Sequence, residues 1–237
     1  MQKNKIHILS TRPAGAALIS EAAQHDIIID EMSFITTEEI INTELEKKIR
    51  ELSGQNITAV FTSMNAADAV GKYVSAKTSW KIFCIGNATK KIVQKIFGDD
   101  NISGYADNAD KLAEKIIEAS SIKKIVFFCG DQRRDELPDK LKNSGIEVEE
   151  LVVYKTMETP EILTKQYDAI LFFSPSAVKS FFSKNFITES IQVFAIGTTT
   201  ANTIKLFTHQ PVIIAEIPGK ENLITLVIKY FSKSKSF

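Results

Sequence analysis

Ala59-Val-Phe-Thr-Ser-Met-Asn-Ala66 and Ile170-Leu-Phe-Phe-Ser-Pro-Ser-Ala177 are two versions of one pattern, set 111 positions apart. In each, a short apolar run ends in a hydroxyl residue. Apolar residues three and four apart then follow, as where a buried strand turns into a helix. Phe61 falls on Phe172, Ser63 on Ser174 and Ala66 on Ala177. The same offset lays Phe83-Cys-Ile-Gly-Asn-Ala-Thr89 on Phe194-Ala-Ile-Gly-Thr-Thr-Thr200 without a gap. Two matches in register predict two copies of one βαβα unit.

Working outward, further strand candidates are Lys5–Ser10, Ile27–Phe34, Lys81–Ile85, Lys124–Cys129, Glu147–Tyr154, Gln192–Ile196 and Pro211–Ala215, beside Thr58–Thr62 and Ala169–Phe173. Segments of helical period separate most of them, and continuous runs such as Ile170–Phe173 fit strands covered on both faces. The class is α/β, with doubly wound parallel sheets of flavodoxin-like kind. So many strands overfill one ordinary sheet, which favours two domains. Ile27–Thr36 and Glu147–Thr156 are long and extended, and are expected to pair antiparallel as a two-stranded connector. Residues 1–35 and 156–237 then form one discontinuous domain, and residues 36–155 an inserted second one. A cleft between two such lobes is a preferred ligand site.

Composition removes several functions. The chain has 237 residues, and its 29 Lys and Arg are balanced by 29 Asp and Glu, so no electropositive nucleic-acid surface is expected. No apolar stretch is long enough to span a membrane, and the N-terminus moves from charges straight into a strand-like run without a signal h-region. A cytoplasmic location follows. Cys84 and Cys129 sit in apolar runs and read as packing residues, while His7, His25 and His209 are isolated, so no metal is expected. Phosphate-loop, dinucleotide and G-x-S-x-G motifs are missing, and no cofactor is expected.

The loops at the carboxyl ends of the strands carry the chemistry. Ser10-Thr-Arg-Pro, Thr62-Ser-Met-Asn, Gly86-Asn-Ala-Thr, Ser174-Pro-Ser and Gly197-Thr-Thr-Thr each place hydroxyl or amide side chains before a helix. Such residues cap helices, and Pro13 and Pro175 suit a first turn. Several helix N-termini around one site also receive anions without basic residues, so a neutral protein can bind an acidic ligand. Arg12, after the first strand, suits a carboxylate or is a solvated rim charge. Arg133 and Arg134 follow Cys129-Gly-Asp-Gln, where Asp131 or Asp135 is expected to pair with at least one. Tyr154, on the returning connector, is either a proton donor or a half-buried packing residue.

Taken together, these pieces resemble the uroporphyrinogen-III synthase family. The matching stretches are Ile8-Leu-Ser-Thr-Arg-Pro, Val60-Phe-Thr-Ser-Met-Asn-Ala, Cys84-Ile-Gly-Asn-Ala-Thr, Gly130-Asp-Gln-Arg-Arg-Asp-Glu-Leu, Val152-Val-Tyr-Lys-Thr, Phe173-Ser-Pro-Ser-Ala-Val and Ala195-Ile-Gly-Thr-Thr-Thr-Ala. The resemblance implies a monomer of two flavodoxin-like lobes. Its implied partner is a linear tetrapyrrole, hydroxymethylbilane, cyclised with loss of water and inversion of ring D. A transient contact with the preceding pathway enzyme is also implied. By motif match the substrate contacts are Ser63, Asn65, Thr89, Ser174, Thr199 and Thr200, joined by Arg12, Arg134 and Ser176 from the loop reading. Tyr154 falls on the family's connector tyrosine and is the candidate catalytic residue, assisting departure of the hydroxyl. Thr198 stands where the family often has Pro, and Asn65 where it sometimes has a basic residue. The competing reading is a non-catalytic, two-lobed sensor or carrier of an acidic small molecule.

Overall fold

The computed structural model describes residues 5–74 and 78–233. The chain opens with β1 (Ile6–Ser10), α1 (Ala16–Ala23) and β2 (Ile27–Glu31), followed by β3 (Ile35–Glu39). Next come α2 (Thr43–Ser53), β4 (Thr58–Phe61), α3 (Met64–Gly71), β5 (Lys81–Ile85), α4 (Gly86–Phe97) and β6 (Ile102–Ala106). They lead to α5 (Ala109–Glu118), β7 (Lys124–Gly130), α6 (Glu136–Asn143) and the long β8 (Glu147–Glu158). The last part is β9 (Ala169–Phe172), α7 (Pro175–Phe182), β10 (Gln192–Ala195), α8 (Thr198–Ile204), β11 (Val212–Ile214) and α9 (Lys220–Lys233). Helix α9 runs to Lys233, and residues 234–237 lie outside the described residues.

Two compact units result, residues 1–36 with 157–237 and residues 37–156. In the first unit the order β11-β10-β9-β1-β2 is parallel throughout. In the second, β6-β5-β4-β7-β8 is likewise parallel, with β3 added beyond β8. The sheets have the same spatial order once β4 is laid on β9 and β5 on β10, the strands of the repeat. The correspondence continues, with β6 on β11, β7 on β1 and β8 on β2. One unit is therefore a circular permutation of the other, with its last two strands supplied from the start of the chain. The fold is α/β, two doubly wound sheets with a two-stranded connector.

The connector is made differently from the expectation. Ile27–Thr36 is not one strand: β2 lies parallel beside β1, and β3 is the strand next to β8. Thr159 N–H donates to Phe34 O at 2.9 Å and Ile40 N–H to Val153 O at 3.1 Å, so numbers rise along one strand as they fall along the other, in antiparallel sense. The break comes at Met32-Ser-Phe34. Phe34 is fully buried, edge-on to Phe181 at 5.2 Å, and this anchor turns the chain out of the first sheet. Strands β3 and β6 were not expected. Two of the five β6 residues, Ser103 and Tyr105, are exposed, and β3 (Ile-Thr-Thr-Glu-Glu) is mostly polar, so neither reads as a buried strand.

Apolar faces fill each unit. In the second, Phe61, Trp80, Phe97 and Phe128 stack at 5.2–5.7 Å between sheet and helices, and the Trp80 indole N–H donates to Leu52 O. In the first, Phe172 and Phe181 meet edge-on at 5.2 Å. Full burial of one such ring is worth roughly 1.5–3 kcal/mol. Both cysteines are buried where expected, and burial pushes each thiol up to about 11.

Candidate functional site

Open parallel sheets bind ligands at the carboxyl edge where the winding direction reverses. In this fold the reversals fall between β4 and β7 in the second unit and between β9 and β1 in the first. The loops at these points are Thr62–Ser63 and Gly130–Gln132, and Phe173–Ser174 and Thr11–Arg12.

In the second unit the reversal is built around Tyr154. Its ring lies against Gly130, where an added Cβ would stand 2.4 Å from Cζ, so only glycine leaves room for it. The strand register slips by one residue between Cys129 and Gly130, which brings Gly130 opposite Tyr154. Two further bonds tie the loop down: Asp131 N–H donates to Tyr154 O, and Asp131 Oδ1 accepts from Thr156 N–H at 2.9 Å. Gln132 adds a side-chain bond to Thr156 O. The loop that carries Gly130 is therefore fastened to β8 on both sides of Tyr154.

Ser63 meets this phenol and also caps α3. Its Oγ accepts the Ala66 N–H at 3.1 Å, and its hydroxyl is hydrogen-bonded to Tyr154. Burial raises the Tyr154 pKa above its ordinary value, against a lowering by Ser63. The group therefore stays a neutral phenol through the physiological range. Either hydroxyl of the Ser63–Tyr154 pair can donate to the other. Asn65 is exposed in the first turn of α3.

One of the two arginines pairs with Asp135, as expected. Arg133 is held by Glu150 and Asp135, whereas Arg134 is exposed and makes no ion pair among the described residues. Thr89, in the first turns of α4, is only 6% exposed, so most of its side chain packs inward.

The first unit repeats half of this arrangement. Ser174 caps α7 through the Ala177 N–H at 3.1 Å, with Pro175 in the first turn and Ser176 beside it. Thr199 is exposed at the start of α8, while Thr200 is buried at 3%. Arg12 is exposed. The capping expectation fails for α1. Ser10 donates its hydroxyl to Arg12 O and Thr11 to Leu171 O, and Pro13 precedes the helix instead of sitting in its first turn. The Ala14 and Gly15 N–H groups are taken by the Glu31 carboxylate at 2.6 and 3.2 Å. This internal anion fills the place assigned from the sequence to a ligand. Glu31 gave no sequence signal, because its reach across seventeen residues depends on the pairing of β1 with β2.

Helices α4 and α8, which match by the 111-residue offset, differ from α3 and α7. Neither has a side-chain cap, with Ile85 and Gly197 at the capping positions. Their hydroxyl-bearing loops therefore leave first-turn N–H groups for another acceptor, at equivalent places in both units. Among the described residues no cluster of three or more His, Cys, Asp or Glu is placed to hold a metal, and no helix is long and apolar enough to cross a membrane.

Known proteins match the chain over most of its length. Residues 16–225 fit the family model described as uroporphyrinogen-III synthase HemD. The uroporphyrinogen-III synthase of Schizosaccharomyces pombe is 24% identical over 168 residues, covering 65% of this chain and 64% of that protein. That of Saccharomyces cerevisiae is 36% identical over 93 residues, covering 35% and 34%. The chain thus aligns with less than two thirds of the length of these curated relatives. The crystal structure of uroporphyrinogen-III synthetase from Helicobacter pylori superposes with a TM-score of 0.68 at 17% identity, over 95% of this chain and 99% of that one. That likeness is one of fold.

Proposed function

The chain belongs to the uroporphyrinogen-III synthase family, and from that premise we propose that it cyclises hydroxymethylbilane to uroporphyrinogen III. Water is lost and the terminal ring D is inverted. The observation that carries this reading is the family match across residues 16–225, which also favours an enzyme over a carrier.

The chemistry runs through a cation. Departure of the hydroxymethyl oxygen leaves an azafulvene, and the already substituted carbon of ring D attacks it to give a spiro intermediate. That intermediate fragments and recloses with ring D reversed. Because the electron-rich pyrroles drive ionisation, the protein's main task is to hold the chain folded, so that the attacking carbon is the right one. Tyr154, kept neutral by burial, hydrogen-bonds the departing oxygen.

The acetate and propionate groups of the substrate are received by first-turn N–H groups of α4 and α8, with Asn65, Ser176 and Thr199 as side-chain donors. Arg12 and Arg134 provide mobile positive charge. Thr89 and Thr200 shape the helix ends from within, and Ser63 and Ser174 orient theirs by capping. Residues 1–36 with 157–237 and residues 37–156 form the two domains. The protein works as a cytoplasmic monomer. A transient contact with the enzyme supplying hydroxymethylbilane shortens the exposure of a substrate that closes unaided to the unflipped isomer.

A coupled assay tests the proposal: hydroxymethylbilane is made in situ, and the product isomers are separated after oxidation. Isomer III in excess over the protein-free control is the expected result. Isomer I alone, at the uncatalysed rate, rejects the reading.

A further inference from the structure

The opposite edge of the second unit holds a feature the proposed reaction does not use. Where Thr58, Lys81 and Lys124 begin β4, β5 and β7 there is a cavity of about 440 Å³. Its lining is more polar than apolar: Ile57 and Ile122 are half-buried, Leu52 and Ile125 are buried behind them, and four lysines (48, 81, 123 and 124) surround it. Glu149 is the one acidic residue of the lining.

Charge here is only half balanced. Glu149 pairs with Lys48 at 2.9 Å and with Lys124 at 3.1 Å, and Lys124 also meets Glu147 at 2.8 Å. The hydrogen bond from Lys48, above all, holds the Glu149 carboxyl below its usual range. Lys81 and Lys123 are exposed and have no ion pair among the described residues. The carbonyl end of α2 favours a nearby cation, which accounts for one lysine but not for a hollow among four.

We propose that this cavity is a binding site for a small organic dianion, with two carboxylate or phosphate groups at Lys81 and Lys123 and its body against Ile57 and Ile122. Its volume lies within the roughly 300–1,000 Å³ of small-molecule sites. Thr58 at its rim and Phe61 are the two ends of β4, about 10 Å apart, and Ser63 lies beyond Phe61, so the site is separate from Tyr154 and independent of the reaction proposed above.

The test is a titration of the full chain with naphthalene-2,6-dicarboxylate, followed by calorimetry and by amide NMR shifts. One saturable site is expected, with shifts at 52–58, 81 and 121–125. The double variant Lys81→Gln with Lys123→Gln is expected to weaken binding about tenfold or more, and added salt to weaken it further. The dimethyl ester of the probe is the neutral control and is expected not to saturate. Both lysines are exposed, and unfolding of the double variant verifies that its fold is intact. The proposal is overturned by an ester that binds as well as the diacid, by a double variant with wild-type affinity, by no saturation at millimolar probe, or by shifts confined to 62–65, 130–132 and 154.

Discussion

The Tyr154 ring rests on the bare backbone of Gly130, where an added Cβ would fall 2.4 Å from Cζ and 2.7 Å from the hydroxyl oxygen. A side chain at position 130 and a phenol in this pose are mutually exclusive. The Gly130→Ala variant is therefore expected to displace Tyr154 and to lose about 1–3 kcal/mol of stability through overpacking. Turnover should fall at least as far as in Tyr154→Phe. Denaturant unfolding and isomer analysis of the two variants check this, and a fully active Gly130→Ala would deny that the pose matters.

Tyr154→Phe removes the one hydroxyl that the account gives to the leaving oxygen and leaves the ring in place. Turnover is expected to drop about a hundredfold, the low end for a positioned proton donor, while isomer III remains the product. An unchanged rate would remove the role. The phenol's pKa is raised, so no loss of activity from its ionisation is expected below about pH 10.

Ser63 and Ser174 are equivalent by the repeat, yet among the described residues only Ser63 is bonded to a phenol. Replacing either by Ala should cost about 0.5–2 kcal/mol, the loss of an N-cap. Only Ser63→Ala should also change the pH dependence or rate of turnover through Tyr154. Equal kinetic effects in the two variants would contradict this asymmetry.

The thiols give a pH prediction. Burial lifts Cys84 and Cys129 from 9.0 to about 11, so the folded state holds these protons more tightly than the unfolded chain does. Their stabilising contribution is complete below the unfolded value and is lost as pH rises through the folded one. Stability should therefore decline between about pH 9 and 11. At pH 8 a thiol reagent should label neither cysteine until denaturant is added. Rapid labelling of the native protein would show that the strands β5 and β7 open readily.

Glu31→Gln keeps the shape of the side chain and removes the negative charge that accepts from Ala14 and Gly15 N–H. A loss of about 1 kcal/mol is expected, measured by urea unfolding. A stabilised variant would show that the carboxylate is strained there.

Much of the fold was legible because the repeat sits where local signals are strong. Strands β4 and β9 are buried on both faces and lead into helices capped by Ser63 and Ser174, so identity and chemistry coincide. The permutation was not legible: β1 and β2 stand for β7 and β8 at no fixed offset from them, and only sheet order reveals it. The connector was misplaced because Ile27-Ile-Ile reads straight on into Met32-Ser-Phe34, and the turn depends on Phe34 meeting Phe181, far along the chain. Site residues followed the same rule. Ser63 and Ser174 were legible as helix caps, and Tyr154 as a residue of the long returning strand that is β8. The support of Tyr154 by Gly130, and the occupation of the α1 N-terminus by Glu31, arise from strand pairing that no local pattern records.

The claim on which the rest depends is that the polycarboxylate is held at the carboxyl edges of the sheets, around the two reversal points. Titrating isotope-labelled protein with uroporphyrin III, the oxidised product carrying the same acetate and propionate groups, tests it directly. The account predicts amide shifts gathered at 62–65, 86–89, 130–134 and 154 in one unit and at 11–12, 173–176 and 197–200 in the other. Shifts at the amino ends of the strands instead, or in neither set, would contradict it.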